Sequence, residues 1–255
     1  MECMPPLNIV LLGTAGAGKS ALTACFGRWM AENMGREVRF INLDPGCEFT
    51  PFTPHFDIRE HFTVDRIMRE EGLGPNGAMV RASELLKQNV SEISRGINRV
   101  GGDIRLLDTP GQMEVFLFHG GPEMTRLIEG TTISLFLTDA EVCRSAAGFV
   151  FTGLLGLSIG LRLGVPTISV LNKVDLIGDA VNDIDRMASD ESFLRKRAEE
   201  EIKGAMADLA IDIAGILPRL LPAARLVKTS AKTGEGMREL YDIVHEVFCA
   251  CGDLT

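Results

Sequence analysis

Residues Gly13-Thr-Ala-Gly-Ala-Gly-Lys-Ser20 follow directly behind the apolar run Leu7–Leu12 and precede a helix-forming stretch. This is the phosphate-binding loop pattern G-x-x-x-x-G-K-[ST] in the strand-then-helix setting that it requires. Its glycines let consecutive backbone N–H groups turn toward a polyphosphate, and the dipole of the following helix favours the same anion. The pattern predicts that Lys19 reaches the terminal phosphates and that the Ser20 hydroxyl binds Mg²⁺.

The composition favours a globular cytoplasmic protein. The chain has 255 residues, is 45% hydrophobic and carries a formal net charge of −9, so no overall basic surface points to nucleic acid or to an anionic membrane. Six cysteines are scattered through a sequence with no secretory signal, which favours reduced thiols. Cys249 and Cys251 could hold a soft metal, but without a second pair nearby free thiols are favoured.

Short β-rich runs alternate with helical stretches, which predicts a parallel sheet with crossover helices. A helix is expected from Lys19 to Met34 with Gly35 as its C-terminal cap. The uncharged stretch Ser145–Leu161 reaches the lower limit for a membrane span. Its place between two strand-like runs favours a buried or interface helix instead. The predicted strands are Leu7–Leu12, Val38–Leu43, Asp103–Leu107, Thr132–Thr138, Val165–Leu171 and Ala224–Lys228.

Two stretches look like helical insertions in the α/β core, at about residues 57–100 and 179–222. The second is rich in mixed charge, which is typical of a solvated helix face, although a partner-binding face stays open. No internal repeat or low-complexity linker interrupts the chain. We therefore predict a single domain over residues 1–255, a P-loop NTPase three-layer sandwich with a mostly parallel central sheet.

The segment Asp108-Thr109-Pro110-Gly111-Gln112 follows a predicted strand. An aspartate at the carboxyl end of a strand beside the phosphate loop is well placed to hold Mg²⁺. We expect the Gly111 N–H to be free to approach a γ-phosphate. Gln112 can orient a water for in-line attack, which is the role of an equivalent glutamine in GTPases.

The segment Asn172-Lys173-Val174-Asp175 follows another predicted strand. A carboxylate at Asp175 can accept hydrogen bonds from N1–H and the 2-amino group of guanine, a donor pair that adenine lacks on that edge. The Lys173 stem can lie over the base. Ser230-Ala231-Lys232 comes after the last strand, where GTPases support the base through a backbone N–H. These four motifs, in this order, look like a GTPase domain.

Three further details narrow the resemblance. Gly74-Pro75-Asn76 lies in the first insertion, Asn42-Leu43-Asp44-Pro45 ends the second strand, and the chain closes with Cys249–Thr255. Together with the four motifs, these resemble the GPN-loop GTPases over nearly the whole chain. The short length is similar to that of the archaeal members.

The resemblance implies a homodimer in which the Gly-Pro-Asn loop of one subunit reaches the phosphates in the other. Asn76 would then contact the departing phosphate in trans, and Asp44 would act with Gln112 and Asp108 in positioning the attacking water. No arginine is singled out as a finger, and Arg59 and Arg66 are the nearest candidates. The implied catalytic set is Lys19, Asp44, Asn76, Asp108 and Gln112, and the implied Mg²⁺ set is Ser20, Asp44 and Asp108. The implied GTP/GDP contacts are Gly13, Ala15, Gly16, Ala17, Gly18, Lys19, Ser20, Ala21, Gly74, Pro75, Asn76, Gly111, Asn172, Lys173, Asp175, Ser230, Ala231 and Lys232.

Several functional classes fit these features. The first is Mg²⁺-dependent hydrolysis of GTP to GDP and phosphate by a homodimeric switch. The second is a nucleotide-gated assembly factor or metal-insertion chaperone, in which hydrolysis is only a timer. A small-molecule kinase is disfavoured by the guanine motif. Eukaryotic members of the family are linked to RNA polymerase assembly, so the resemblance suggests an unidentified protein client, for which a large assembly such as RNA polymerase is one candidate. No membrane and no direct nucleic-acid partner are expected.

Overall fold

The sheet is organised around its central strand, whose residues alternate between two separate cores. The computed structural model describes residues 5–204, 207–220 and 226–252. Val10 and Leu12 join one buried cluster, whereas Ile9 and Leu11 join the other on the opposite face. A strand covered on both faces reads as a continuous apolar run, because successive side chains point to opposite sides.

Seven strands form one sheet in the order β3-β2-β4-β1-β5-β6-β7, and neighbouring strands run parallel. This confirms the predicted α/β class and parallel sheet. The strands are β1 (Leu7–Gly13), β2 (Val38–Asn42), β3 (Phe56–Asp57), β4 (Ile104–Asp108), β5 (Thr131–Asp139), β6 (Thr167–Asn172) and β7 (Leu226–Lys228).

The first helix ends where the sequence predicts. It spans Lys19–Met34, and Gly35 at φ 61° donates its N–H to the Met30 carbonyl as the cap. The helices are α1 (Lys19–Met34), α2 (Val64–Glu71), α3 (Pro75–Gln88), α4 (Val90–Asn98), α5 (Met113–Phe118), α6 (Gly121–Leu127), α7 (Ala146–Leu163), α8 (Ala180–Ser189), α9 (Glu191–Glu201), α10 (Ala207–Leu220) and α11 (Met237–Gly252).

Both predicted insertions contain helices, which are α2–α4 in the first and α8–α10 in the second. The two-residue strand β3 was not predicted, because so short a segment carries no periodic signal. Ala224, the predicted start of the last strand, lies outside the described residues. The prediction of a single domain stays a prediction.

Helix α7 packs directly on the sheet. A Cβ placed on Gly156 would lie 3.0 Å from Ser169 Oγ and 3.3 Å from the Phe136 ring, so the glycine permits close approach to β5 and β6. Among the described residues, α7 alone is long and apolar enough to cross a membrane by length and composition. The side of α7 that faces the sheet packs into the core, as predicted for a crossover helix.

Candidate nucleotide site

All the motifs meet at one edge of the sheet. The phosphate loop follows β1, the Asp44 segment follows β2, and Asp108 ends β4. Asn172 ends β6, and Ser230 follows β7. Because these strands are parallel, their carboxyl ends share an edge, where open α/β sheets bind ligands at a change of strand order. That change occurs at β1, which pairs with β4 on one side and β5 on the other.

The phosphate loop is shaped by glycines that no other residue could replace without strain. Gly16 and Gly18 have φ values of 81° and 91°. A Cβ on Gly18 would lie 2.5 Å from Asn172 Nδ2, so this position also has no room for a side chain. Lys19 is 6% exposed, and its ammonium donates to the carbonyls of Gly13 at 2.8 Å and Thr14 at 3.3 Å. Burial lowers the pKa of Lys19, and nearby Asp108 and Asp44 oppose that shift.

Asp108 and Ser20 form a pair of oxygen donors suited to Mg²⁺. Asp108 is 1% exposed, and burial raises the pKa of its carboxyl to about 6 against the opposing Ser20 hydrogen bond and Lys19 charge. Its Oδ1 is buried and has no hydrogen-bond partner within the described part of the chain. Mg²⁺ prefers such hard oxygen ligands and takes the rest from water and phosphates. The residues present therefore fit this ion.

Asp44 reaches across to the Asp108 segment. Asn42 of β2 lies opposite Asp108 of β4, which brings the two segments together. Asp44 Oδ1 accepts from the Gly46 N–H at 2.8 Å, and Oδ2 accepts from the Gly111 N–H at 3.3 Å. The expectation that the Gly111 N–H is free was wrong for this structure, because the carboxylate on the neighbouring loop already accepts from it. A γ-phosphate approaching this N–H would have to displace Asp44.

Gln112 is an exposed residue at the end of the Asp108 segment. It precedes α5 as the N-cap residue, with its side chain exposed. The segment before it is anchored by the Thr109 hydroxyl, which donates to the Leu11 carbonyl at 2.6 Å. Gln112 is thus an exposed side chain on an anchored backbone, which suits a residue that orients water.

Asn172 connects the phosphate loop to the predicted base loop. Its Nδ2 donates to the Ala17 carbonyl at 2.9 Å, and its Oδ1 accepts from the Ala231 N–H at 3.2 Å. The Thr229 hydroxyl also donates to Oδ1, at 3.3 Å. The Ala231 N–H, expected to support the base, is therefore engaged by Asn172. Asn172 therefore fixes the position of the phosphate loop relative to the loop that carries Ala231.

The predicted guanine carboxylate is exposed and oriented by a neighbour. Asp175 Oδ1 accepts from the Ser230 hydroxyl at 2.7 Å. Lys173 has φ 65°, the one positive value for a non-glycine residue in the described chain, and such strained conformations cluster at ligand sites. Its Nζ donates to Asp139 Oδ2 at 2.8 Å. Burial of Asp139 is outweighed by this hydrogen bond and one from the Glu141 N–H, so the pKa of Asp139 lies below its usual range. Lys232 is exposed.

The Gly-Pro-Asn tripeptide begins helix α3. Gly74 is the N-cap, Pro75 is the first helical residue, and all of residues 74–77 are exposed. The Asn76 amide makes no hydrogen bond within the described chain, which leaves it available to another molecule. One turn on, Met79 lies against the loop that carries Asp44: a Cβ on Gly46 would lie 3.2 Å from Met79 Cε and 3.3 Å from Asp44 Oδ1.

Several residues of this edge were missed in the sequence. Asn42, Asp57, Asp139 and Thr229 all orient loops of the site, as their hydrogen bonds show. Asp139 could have been found, because it directly follows the predicted strand Thr132–Thr138 at the ligand-binding edge. The described residues contain no group of three or more His, Cys, Asp or Glu side chains able to hold a metal. Cys249 is a free thiol, and the Cys251 side chain lies outside the description.

Comparison with known proteins identifies the family. A family model described as "Conserved hypothetical ATP binding protein" matches residues 11–250. GPN-loop GTPase PAB0955 of Pyrococcus abyssi is 39% identical over 254 residues, covering 97% of this chain and 99% of that protein. GPN-loop GTPase QQT1 of Arabidopsis thaliana is 33% identical over 175 residues, covering 66% of this chain and 58% of that protein.

A solved structure agrees with these sequence matches. The crystal structure of PAB0955, described as a GTPase in apo form, superposes with a TM-score of 0.87 at 36% identity and covers 96% of this chain and 98% of its own. The family model and the full-length relative cover the same motifs that share the carboxyl edge of the sheet. This chain therefore belongs to the GPN-loop GTPase family.

Proposed function

We propose that this protein hydrolyses GTP to GDP and phosphate with Mg²⁺. The observation that carries the proposal is the bridging side chain of Asn172, which bonds the phosphate loop at Ala17 and the base loop at Ala231. The side chain thereby holds the phosphate loop close to the loops that would bind the base, including the one that carries the guanine carboxylate Asp175. Calorimetry with GTP, GDP and ATP tests it, and binding of ATP as tight as that of GTP would contradict it.

The chemistry follows from charge and position. Phosphoryl transfer is accelerated mainly by neutralising charge and aligning the nucleophile. Lys19 places an ammonium at the terminal phosphates, and Ser20 and Asp108 would hold Mg²⁺, which neutralises charge that develops on the phosphate oxygens. Asp44 and Gln112 flank the point of attack, where the Gln112 amide would orient the water and the Asp44 carboxylate would accept its proton. In a molecular switch, the rate of GTP hydrolysis sets how long the protein stays in its GTP-bound state.

Replacing Gln112 by alanine is expected to lower kcat about 30-fold while the Kd for GTP changes less than threefold, because the water is aligned mainly in the transition state. Single-turnover hydrolysis and equilibrium binding measure the two effects. Gln88→Ala, an exposed glutamine at the end of α3, is the matched control. An unchanged kcat in Gln112→Ala would remove Gln112 from the mechanism.

We also propose that the protein works as a homodimer. Phe151, Leu154 and Leu161 form an exposed apolar stripe on α7, beside exposed Phe118 of α5. The Arg162 guanidinium stacks 5.4 Å from the Phe118 ring centroid, which joins the two helices. Since α5 begins directly after Gln112, a partner that covers α5 would adjoin the segment that carries Gln112. Sedimentation that showed only monomers with both GDP and a non-hydrolysable GTP analogue would contradict the dimer.

In such a dimer, exposed Asn76 is proposed to act on the partner's nucleotide. Asn76→Ala and Lys19→Ala are each expected to lower turnover at least tenfold. An equal mixture should then recover about a quarter of the parental rate, because half of the randomly formed dimers contain one intact composite site. Turnover in the mixture equal to the mean of the two variants would eliminate the trans arrangement.

We propose that in the cell the protein acts as a cytoplasmic, nucleotide-gated assembly factor. Phe49 is 80% exposed on the loop that continues from Asp44, so a change at the phosphates would be passed to an apolar side chain available to a client. An RNA polymerase is a candidate client by family. Metal insertion gains no support from the described residues. Affinity purification with Gln112→Ala as bait tests for the client.

A further inference from the structure

A small network of polar side chains holds the turn that carries Asp44. We call residues 44–48 the Asp44 turn. At its start, the Asp44 N–H donates to Asn42 Oδ1 at 3.1 Å. Asn42 is fully buried, and its Nδ2 donates to Asp57 Oδ1 at 2.9 Å. The first residue of the turn is thereby tied to the strands β2 and β3.

Arg59 ties the other end of the turn to the same carboxylate. It forms a bidentate pair with Asp57, in which Nε donates to Oδ1 at 2.9 Å and one terminal nitrogen donates to Oδ2 at 2.6 Å. The other terminal nitrogen donates to the carbonyls of Cys47 at 3.2 Å and Glu48 at 3.1 Å. Charge-assisted, bidentate bonds of this kind are the strong ones, and a planar fork is required to make them together.

The Arg59 guanidinium is occupied in this structure, which disfavours a role as an arginine finger. Each nitrogen of Arg59 already donates to Asp57 or to the turn. Arg66, the other candidate, donates to the His61 carbonyl. The hydrogen bonds of Arg59 instead support the Asp44 turn, whose Asp44 carboxylate accepts from the Gly111 N–H.

We propose that Arg59 is a positioning residue for hydrolysis, which acts through Asp57 and Asn42 to hold the Asp44 carboxylate at the phosphate end of the site. This inference rests on the proposed GTP hydrolysis and on the role of Asp44 in it. Because Arg59 touches neither phosphate loop nor base loop, its loss should affect turnover more than binding. A displacement of about 1 Å at a reacting group can cost up to a hundredfold in rate.

The test compares Arg59→Gln and Arg59→Lys with Arg81→Gln, which breaks the surface ion pairs to Glu71 and Glu84 in the same insertion. Both Arg59 variants are expected to lose about tenfold or more in kcat, since a lysine cannot bridge Asp57 and two carbonyls at once. The Kd for GDP should change less than about twofold. Wild-type kcat in Arg59→Gln, or an equal loss of GDP affinity, would overturn the proposal.

A double-mutant cycle shows whether Arg59 acts through Asp44. In an Asp44→Ala background, Arg59→Gln should lower kcat less than about twofold further. Independent, multiplicative losses would overturn the proposal. So would an unchanged kcat in Asp44→Ala alone, although GTP hydrolysis itself would then stand. A parent protein that fails to hydrolyse GTP would instead defeat the proposed function.

Cys47 reports on the turn without any need for hydrolysis. Its thiol is half-buried and contacts the Asp44 carbonyl at 3.2 Å. Alkylation by iodoacetamide, followed at peptide resolution, should be about tenfold faster at Cys47 in Arg59→Gln and unchanged at Cys25. Loss of the arginine charge alone would slow the reaction, so faster labelling reports exposure of the turn. Equal labelling in parent and variant would overturn the proposal.

Discussion

Replacing Asp175 by asparagine should weaken GTP binding about a thousandfold and should create affinity for xanthosine triphosphate. The carboxylate accepts from two donors on guanine, whereas an amide offers one acceptor and one donor. The amide NH₂ would then face the 2-amino group of guanine, and unpaired polar groups in a binding site are costly. Xanthine has a carbonyl at that position, so the amide matches it.

Calorimetry of the parent and Asp175→Asn with GTP, XTP and ATP measures this change. Asp179→Asn is the matched control, because Asp179 is an exposed aspartate just beyond the same loop and makes no side-chain cap. The Ser230 hydroxyl that donates to Asp175 can rotate to serve either side chain. A GTP affinity within threefold of the parent value would remove Asp175 from base recognition.

Replacing Asp108 by asparagine should have opposite effects on activity and stability. Hydrolysis is expected to fall at least about a hundredfold, because the Mg²⁺ site loses its anionic oxygen. In contrast, the protein freed of nucleotide and Mg²⁺ should become more stable near neutral pH. The variant removes a carboxylate that is buried and has an unpaired oxygen.

The sign follows from linkage. Burial raises the pKa of Asp108 from 3.8 to about 6, so the folded state binds this proton more tightly than the unfolded state. The contribution of Asp108 to the free energy of unfolding therefore falls as pH rises from about 4 to about 6. Above about pH 6 it stays at the lower value. A shift of this size corresponds to about 3 kcal/mol in the free energy of unfolding.

Thermal unfolding in EDTA between pH 4 and pH 8 tests this prediction. The advantage of Asp108→Asn over the parent should be largest above pH 6 and should shrink toward pH 4. Asp212→Asn, an exposed aspartate on α10, should show no such dependence. A variant that is less stable than the parent at pH 7.5 would contradict the burial argument.

The local elements could be predicted because their signals are local. The phosphate loop needs glycines and a lysine at fixed spacing, and helix α1 ends at a glycine that adopts φ 61°. Continuous apolar runs such as Leu7–Leu12 indicated strands covered on both faces. The strand β3 gave no signal, since two residues have no period. Its residue Asp57 was therefore read as the start of an insertion rather than as a support for Asp44.

The sequence by itself determined the α/β class, the order of the motifs and the residue types available for phosphate, magnesium and base. The tertiary structure alone decided their partners. Asp44 meets the Gly111 N–H because β2 and β4 are paired in register, and Asn172 meets the Ala17 carbonyl across 155 positions of chain. Spacing along a chain encodes helices, strands and loops, whereas contacts between distant loops depend on strand order and register.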